Sequence, residues 1–178
     1  MSSSTSWAGS TGTDRETFTA GVTERSDMNV LVTVKEVVEV ADDFEIEGTR
    51  VADRYLEYDI NEWDDYAVEA AVQLAESGEA DEVVSATIGP DRSEETIRMA
   101  LAKGVDRAVR VWDDALGAQD LLDVAAKTEI LAAVVEDEEP DLVLTGVQAG
   151  DDSWGATGVS LADAVGYAHA AVVVDFEL

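Results

Sequence analysis

A glycine-rich segment late in the chain offers the clearest chemistry in the sequence. It runs from Thr145 to Gly158, between an apolar run and a helical pattern, and it contains four glycines. Glycine lets the backbone approach a ligand closely, and the start of a helix presents free N–H groups that suit a phosphate. The segment predicts a phosphate-binding loop, while an ordinary turn with Asp151, Asp152 or Ser153 capping the next helix fits the spacing equally well.

A second group of polar residues stands at the start of a predicted helix. Asn61 precedes this helix, and Asp64 lies three residues further on. The spacing is typical of capping, in which Asn accepts backbone N–H groups and acids favour the positive end of the helix dipole. The alternative is that both side chains face a ligand. From the spacing alone, capping is favoured.

The residue types present exclude several other kinds of site. The chain has no cysteine and a single histidine, His169, which argues against thiol chemistry, metal sites and a histidine-based triad. Neither G-x-x-x-x-G-K-[ST] nor G-x-G-x-x-G occurs, which disfavours a P-loop NTPase and a standard dinucleotide dehydrogenase. No two carboxylates are convincingly paired for acid–base work. We therefore expect neither a catalytic residue nor a bound metal.

The charge balance bears on partners and surroundings. Forty Asp and Glu face eleven Lys and Arg, for a net charge of −29. Nucleic acids and anionic membranes bind clustered cations, so neither is expected as a partner. No apolar stretch approaches the length needed to span a bilayer and no signal-peptide pattern is evident, so a cytoplasmic protein is predicted. An acidic folded surface suits a saline, halophilic setting, and an acidic protein of ordinary salinity is the alternative.

The order of apolar runs indicates the fold that positions these residues. Core strands are predicted at 29–35, 82–88, 107–112, 141–146 and 170–175, with helical patterns between them. Such alternation indicates an α/β fold, a doubly wound parallel sheet with helices on both faces, in three layers. Ligands of such sheets bind at the carboxyl ends of the strands. The loops after Val34, Ile88 and Thr145 are therefore the candidates.

Composition also divides the chain into two parts. Twelve of residues 1–27 are Ser or Thr and no hydrophobic period appears, so this extension is predicted to be disordered. The first apolar run follows Met28 directly, so Met1 and Met28 both remain possible starts. Residues 28–178 are predicted to form one nucleotide-binding domain.

Four segments of the chain carry a family resemblance. They are the opening strand Val30–Lys35, the helix start Ile60–Ala71, the pair Ile88–Pro90 with Glu95–Ala108, and the loop region Asp141–Ala149 with Thr157–Gly158. In these segments the chain resembles the beta subunit of electron transfer flavoproteins, the FixA family, in an acidic haloarchaeal-type version. They occur in unbroken order over residues 28–178.

The resemblance implies a fold and a function. The family fold is an adenine-nucleotide-binding, Rossmann-like α/β domain. The resemblance implies a heterodimer with an alpha subunit that holds most of an FAD, and it implies an AMP or a second FAD on the beta subunit. It further implies electron transfer from dehydrogenases toward a quinone reductase, without membrane insertion.

The resemblance also implies which residues contact the nucleotide. Those cofactor-binding positions are Thr33, Asn61, Glu62, Trp63, Asp64, Ile88, Gly146, Val147, Gln148, Ala149, Gly150, Asp151, Asp152, Ser153, Trp154, Gly155, Ala156 and Thr157. No cation lies within the loop, so binding is predicted to depend on backbone shape. Valine at Gly146 or Gly150 is predicted to abolish binding with the fold intact.

Some positions depart from the family pattern. Glu62 and Trp63 stand where the family has Pro-Phe, Val147 replaces a usual basic residue, and Ala156 replaces a usual Gln. The family also continues for a long section beyond the end of this sequence. Two alternatives stay open: a universal-stress-like protein that binds an adenine nucleotide, and a non-catalytic assembly subunit with a degenerate nucleotide site.

Overall fold

The computed structural model describes residues 28–119 and 121–176, so the predicted disordered extension at 1–27 lies outside the described residues. The strands are β1 (Asn29–Thr33), β2 (Glu36–Val40), β3 (Ile46–Glu47), β4 (Arg50–Val51), β5 (Leu56–Ile60), β6 (Glu82–Ile88), β7 (Arg107–Val111) and β8 (Leu142–Leu144). The α-helices are α1 (Glu62–Ser77), α2 (Glu94–Lys103), α3 (Asp114–Gly117), α4 (Val124–Glu138) and α5 (Thr157–Val165). Single 3₁₀ turns occur at Asp53–Tyr55 and Asp91–Ser93.

The central sheet, as far as the chain is described, contains four parallel strands in the order β7-β6-β1-β8. The chain starts in the interior of the sheet at β1, moves outward through β6 and β7, and then returns to the other side of β1 with β8. The strand order therefore reverses between β1 and β8. In open α/β sheets this switch point opens a crevice at the carboxyl ends of the strands.

Helices cover both faces of the sheet, which confirms the predicted three layers. Alternate residues of a strand point to opposite faces. Val30 and Val32 pack with α1 and α2 in one core cluster, whereas Leu31 packs with α4 and α5 in the other. All three side chains are fully buried, as the continuous apolar run predicted.

The polar stretch between β1 and α1 forms a hairpin excursion. Strands β2 and β5 pair antiparallel, and the shorter strands β3 and β4 extend the excursion beyond them. Gly48 stands between β3 and β4 with φ +68°, a left-handed conformation that glycine adopts without steric cost. The chain returns from this excursion directly into α1.

The ends of the helices follow the sequence signals closely. Helix α1 ends at Gly78, which has the left-handed conformation typical of a glycine C-cap. Helix α4 ends before Pro140, with Glu139 left-handed at φ 47°. None of the helices within 28–119 and 121–176 is long and apolar enough to cross a membrane.

The predicted last core strand, 170–175, is wrong. Residues 170–175 are irregular, and Val172 to Val174 are 74%, 53% and 97% exposed. Val172 also has φ 56°, which interrupts an extended backbone. An apolar run becomes a strand only where a neighbouring strand accepts its hydrogen bonds, and none of the described strands pairs with this segment.

Candidate functional site

The candidate site lies at the switch point between β1 and β8. The segment after β1 leads to Lys35, and the segment after β8 is the glycine-rich loop, residues 145–156. The N-terminus of α1 approaches this loop through its buried polar side chains. Three chain segments that are distant in sequence therefore meet at one edge of the sheet.

Asp64 joins all three segments. Its Oδ2 accepts the backbone N–H of Lys35 at 2.8 Å, and its Oδ1 accepts that of Gly146 at 3.0 Å. The side chain is buried, and burial raises the pKa of Asp64 to about 6, although the two N–H groups and Asn61 favour the charged form. Asp64 therefore links the segment after β1, the start of α1 and the glycine-rich loop.

Asn61 makes a second link between α1 and the loop. Its Nδ2 donates to the carbonyl of Gln148 at 2.8 Å, and its Oδ1 accepts the N–H of Gly150 at 3.2 Å. Asn61 occupies the N-cap position of α1, but its side chain makes no capping hydrogen bond. The capping interpretation is therefore wrong for Asn61, because its amide is used by the loop instead.

The first two glycines of the loop, Gly146 and Gly150, have different surroundings. A Cβ added at Gly146 would lie 2.3 Å from Oδ1 of Asp64 and 2.9 Å from its backbone nitrogen. A Cβ at Gly150 would meet nothing within 4 Å. Gly146 is therefore required by the protein's own packing, which contradicts the prediction that valine there would leave the fold intact. Gly150 faces open space.

The aspartates of the loop are paired with cations from outside it. Lys35 bonds Asp151, and its Nζ lies 3.1 Å from Oδ2 of Asp152. Nζ of Lys127, on α4, donates to the same oxygen at 2.5 Å. Burial opposes the charged form of Asp152, but the hydrogen bonds from both lysines outweigh it and hold its pKa below the usual value.

Helix α5 begins later than the loop pattern suggested. Its first residue is Thr157 and its N-cap is Ala156, so none of Asp151, Asp152 and Ser153 caps it. Ala156 makes no side-chain capping bond. The first turn of α5 therefore presents N–H groups without a side-chain partner at the end of the glycine-rich loop.

The remaining predicted positions lie around this crevice. Thr33 and Ile88 end the neighbouring strands β1 and β6, at the same edge of the sheet. Glu62 is exposed and accepts the hydroxyl of Tyr66 at 3.2 Å. The Trp63 ring is 41% exposed and meets Tyr66 edge-on, so neither side chain contacts the loop in the way that Asn61 and Asp64 do.

Comparison with known proteins identifies the family. The family model described as the electron transfer flavoprotein domain matches residues 48–178. The chain belongs to the electron transfer flavoprotein family. It is 45% identical over 153 residues to the electron transfer flavoprotein subunit beta of Methylophilus methylotrophus, an alignment covering 84% of this chain and 57% of the relative.

Relatives of the electron transfer flavoprotein family also come from eukaryotes. The mitochondrial subunit beta of Oryza sativa subsp. japonica is 43% identical over 137 residues, covering 76% of this chain and 54% of the relative. The subunit beta of Homo sapiens is 38% identical over 137 residues, covering 75% and 52%. The chain thus spans about half the length of the curated relatives it matches.

In this electron transfer flavoprotein domain, sequence reasoning missed Lys35 and Lys127 as neighbours of the loop. Both lie far from it along the chain, in the β1–β2 connection and in α4. The one signal in the sequence was the small number of lysines, because the chain contains only three. The number of lysines alone does not predict where their side chains point.

The residues present fit the phosphate of a nucleotide. The uncapped first turn of α5 suits a phosphate, and the open side of Gly150 leaves room beside the backbone. The two loop aspartates are neutralised by lysines, which removes much of their repulsion of an anion. Over the described residues, no group of three or more His, Cys, Asp or Glu could hold a metal ion.

Proposed function

We propose that this chain forms the nucleotide-binding part of an electron transfer flavoprotein beta subunit. The observation that carries the proposal is the meeting of three chain segments at the switch point, where Asn61 and Asp64 bond the backbone of the glycine-rich loop beside β1. The beta-subunit relatives support the same assignment and favour it over the universal-stress-like alternative.

The ligand in this proposal is an adenine nucleotide, either AMP or FAD. Its phosphate meets the N–H groups at the start of α5 and along the loop from Gly146 to Thr157, where Ala156 leaves the helix uncapped. Thr33 and Ile88 border the same crevice from the ends of their strands. A bound flavin would supply redox chemistry, whereas AMP would have a structural role, and in both cases the chain contributes binding without a catalytic residue.

The proposed assembly is a heterodimer. An alpha subunit holds most of the FAD, dehydrogenases supply the electrons, and a quinone reductase receives them. A cytoplasmic location and a boundary between residues 27 and 28 remain predictions. The relatives' names state that they are beta subunits, which supports an alpha-subunit partner for this chain.

The decisive experiment identifies the bound nucleotide. The chain is co-expressed with the reading frames that neighbour its gene, the complex is purified, and the released nucleotides are separated chromatographically. We expect AMP or a second FAD in equal amount to the chain, and no tight flavin on the chain purified alone. A complex with no adenine nucleotide on this chain would favour the assembly subunit with a degenerate site.

Variants of the loop locate the ligand within the chain. Gly150→Val should abolish binding of AMP, ATP and FAD in calorimetry, because the branched side chain would occupy the open space beside the backbone. Ala102→Val, at an exposed position of α2, is the matched control and should bind normally. Equal binding by Gly150→Val and the control would place the ligand elsewhere.

A variant that is expected to bind AMP more tightly tests the same site. Val147→Lys introduces a cation where the loop has an apolar side chain, and it should tighten AMP binding by about tenfold if a charge-assisted hydrogen bond forms. Binding of adenosine, which has no phosphate, should not change. Unchanged AMP affinity would mean that the phosphate does not lie beside residue 147.

A further inference from the structure

Lys127 stands in a nearly enclosed group of charges beside the loop. Its Nζ lies 2.5 Å from Oδ2 of Asp152, and their side chains are 15% and 13% exposed. Nζ of Lys35 approaches the same oxygen at 3.1 Å. One carboxylate oxygen of the loop is therefore held between two cations that come from different elements of the fold.

The position of Lys127 within its helix needs an explanation. Helix α4 begins at Val124, and Asp123 caps it by accepting the N–H of Ala126 at 2.8 Å. Lys127 thus lies in the first turn, where a cation is unfavourable because the helix dipole is positive there. The stability of α4 does not account for the lysine, whereas the contact with Asp152 does.

The part of the loop that follows Asp152 has a constrained backbone. Ser153 has φ 52° and Gly155 has φ 61°. A left-handed conformation of a residue other than glycine costs free energy and persists only where the surroundings hold it. Trp154 lies between these two residues, and its ring centroid is 4.9 Å from Nζ of Lys127. Lys127 therefore contacts both side chains that flank Ser153.

Helix α4, which carries Lys127, is packed firmly in the core. Leu131, Val134 and Val135 are buried against the sheet in the core cluster that also includes Leu161 of α5. The backbone that carries Lys127 is thereby fixed relative to the strands. A side chain on this helix that contacts the loop therefore holds the loop relative to the core.

We propose that Lys127 is a positioning residue that holds the loop around Ser153 in its nucleotide-binding shape, acting through Asp152 and Trp154. This inference rests on the proposed function only in naming the ligand as a nucleotide. The shape of the loop itself is measured separately, without any ligand.

The first test measures the loop without a nucleotide. Lys127→Met removes the charge and keeps the length of the side chain, so the loop should loosen. The emission of Trp154 should then shift to longer wavelength, and its quenching by acrylamide should increase. The change should vanish when Trp154→Phe is introduced into both proteins. Unchanged emission and quenching in Lys127→Met would overturn the proposal.

The second test measures ligand binding by calorimetry with AMP and adenosine. Lys127→Met should weaken both by about tenfold, since one charge-assisted hydrogen bond to the loop is lost. Lys127→Arg should restore most of the affinity, because guanidinium can bond the same carboxylate. Lys103→Met is the matched control, because Lys103 pairs with Asp65 on the other face of the sheet and should not affect binding.

A third comparison separates the possible failures. A loss of AMP binding with unchanged adenosine binding would make Lys127 a direct phosphate contact and overturn the positioning role. Asp152→Asn should reproduce the weakening, and adding Lys127→Met to it should cause little further loss. If the wild type binds neither ligand, the proposed function fails, and the fluorescence of Trp154 still decides the role of Lys127. A thermal melt by circular dichroism verifies that each variant is folded.

Discussion

At the scale of single residues, the site depends on two buried polar side chains, each of which bonds the backbone of the glycine-rich loop. Asp64 and Asn61 are 5% and 2% exposed, and their side-chain oxygens accept the backbone N–H groups of Gly146 and Gly150. A buried polar side chain left without a hydrogen-bond partner costs about 1–3 kcal/mol, and these bonds avoid that cost. These two residues therefore determine where the loop leaves the sheet.

The first prediction concerns the pH dependence that Asp64 introduces. Its pKa is about 6 in the folded protein and ~3.9 in an unfolded chain. The native state thus binds the proton more tightly, so the stabilising contribution is present below the unfolded pKa and is lost as pH rises through the folded pKa. Between pH ~4 and pH ~7 this lowers the free energy of unfolding by about 2 kcal/mol.

Asp64→Asn supplies the control for this pH dependence, because it removes the titrating group. The free energy of unfolding of the wild type minus that of the variant should fall as pH rises through this window. Urea unfolding at several pH values measures the difference. A difference that stays constant with pH would show that Asp64 has an ordinary pKa.

The second prediction compares the two first glycines of the loop. Gly146→Ala places a Cβ against Oδ1 and the backbone of Asp64, and it should lower the free energy of unfolding by about 1–3 kcal/mol. Gly150→Ala, which meets no neighbouring atom, should change it far less. Urea unfolding of both variants measures the effect, and equal stability of the two would contradict the packing described here.

At the scale of elements, the loop is held at both ends by parts of the same core. Helix α5 follows the loop and has Leu161 as its buried residue, which packs with α4. Gly158 lies against Thr145, where an added Cβ would be 2.4 Å from the Thr145 hydroxyl. The start of α5 is therefore close-packed against the end of β8.

The third prediction concerns the attachment of α5. Leu161→Ala removes its buried side chain and should lower the free energy of unfolding by about 2–5 kcal/mol through lost burial and a residual cavity. Val159→Ala is the matched control, since Val159 is 42% exposed. Denaturant unfolding of both variants provides the measurement. A small effect at Leu161 would mean that α5 contributes little to the core.

At the scale of the whole molecule, charge is the dominant feature. A net charge of −29 on 178 residues makes self-repulsion a substantial term against compaction. The cations of the described chain are largely engaged in pairs such as Arg107 with Glu82 and Glu138. Many acidic side chains therefore face solvent, where salt screens them.

The fourth prediction follows from that surface. The Debye length shrinks from ~10 Å at 0.1 M salt to ~3 Å at 1 M, so added KCl should weaken the repulsion among surface carboxylates. The midpoint of thermal unfolding should rise strongly from low to molar KCl. Substituting potassium glutamate for KCl controls for anion binding. A midpoint that does not depend on salt would contradict the halophilic interpretation.

The sequence by itself determined the alternation of strands and helices, because burial on both faces of a parallel sheet demands continuous apolar runs. It therefore predicted β1, β6, β7 and β8 and their three-layer arrangement. It also indicated the glycine-rich loop, since that depends on local backbone conformation. Such features are encoded by residues close together in the chain.

Only the tertiary structure decided what those local patterns are used for. Asn61 has the spacing of a capping residue but bonds the loop, and residues 170–175 have the pattern of a strand but no strand to pair with. Lys127 reaches Asp152 across 25 positions of sequence. Each outcome depends on which distant group lies within hydrogen-bonding distance, and local periodicity contains no information about that.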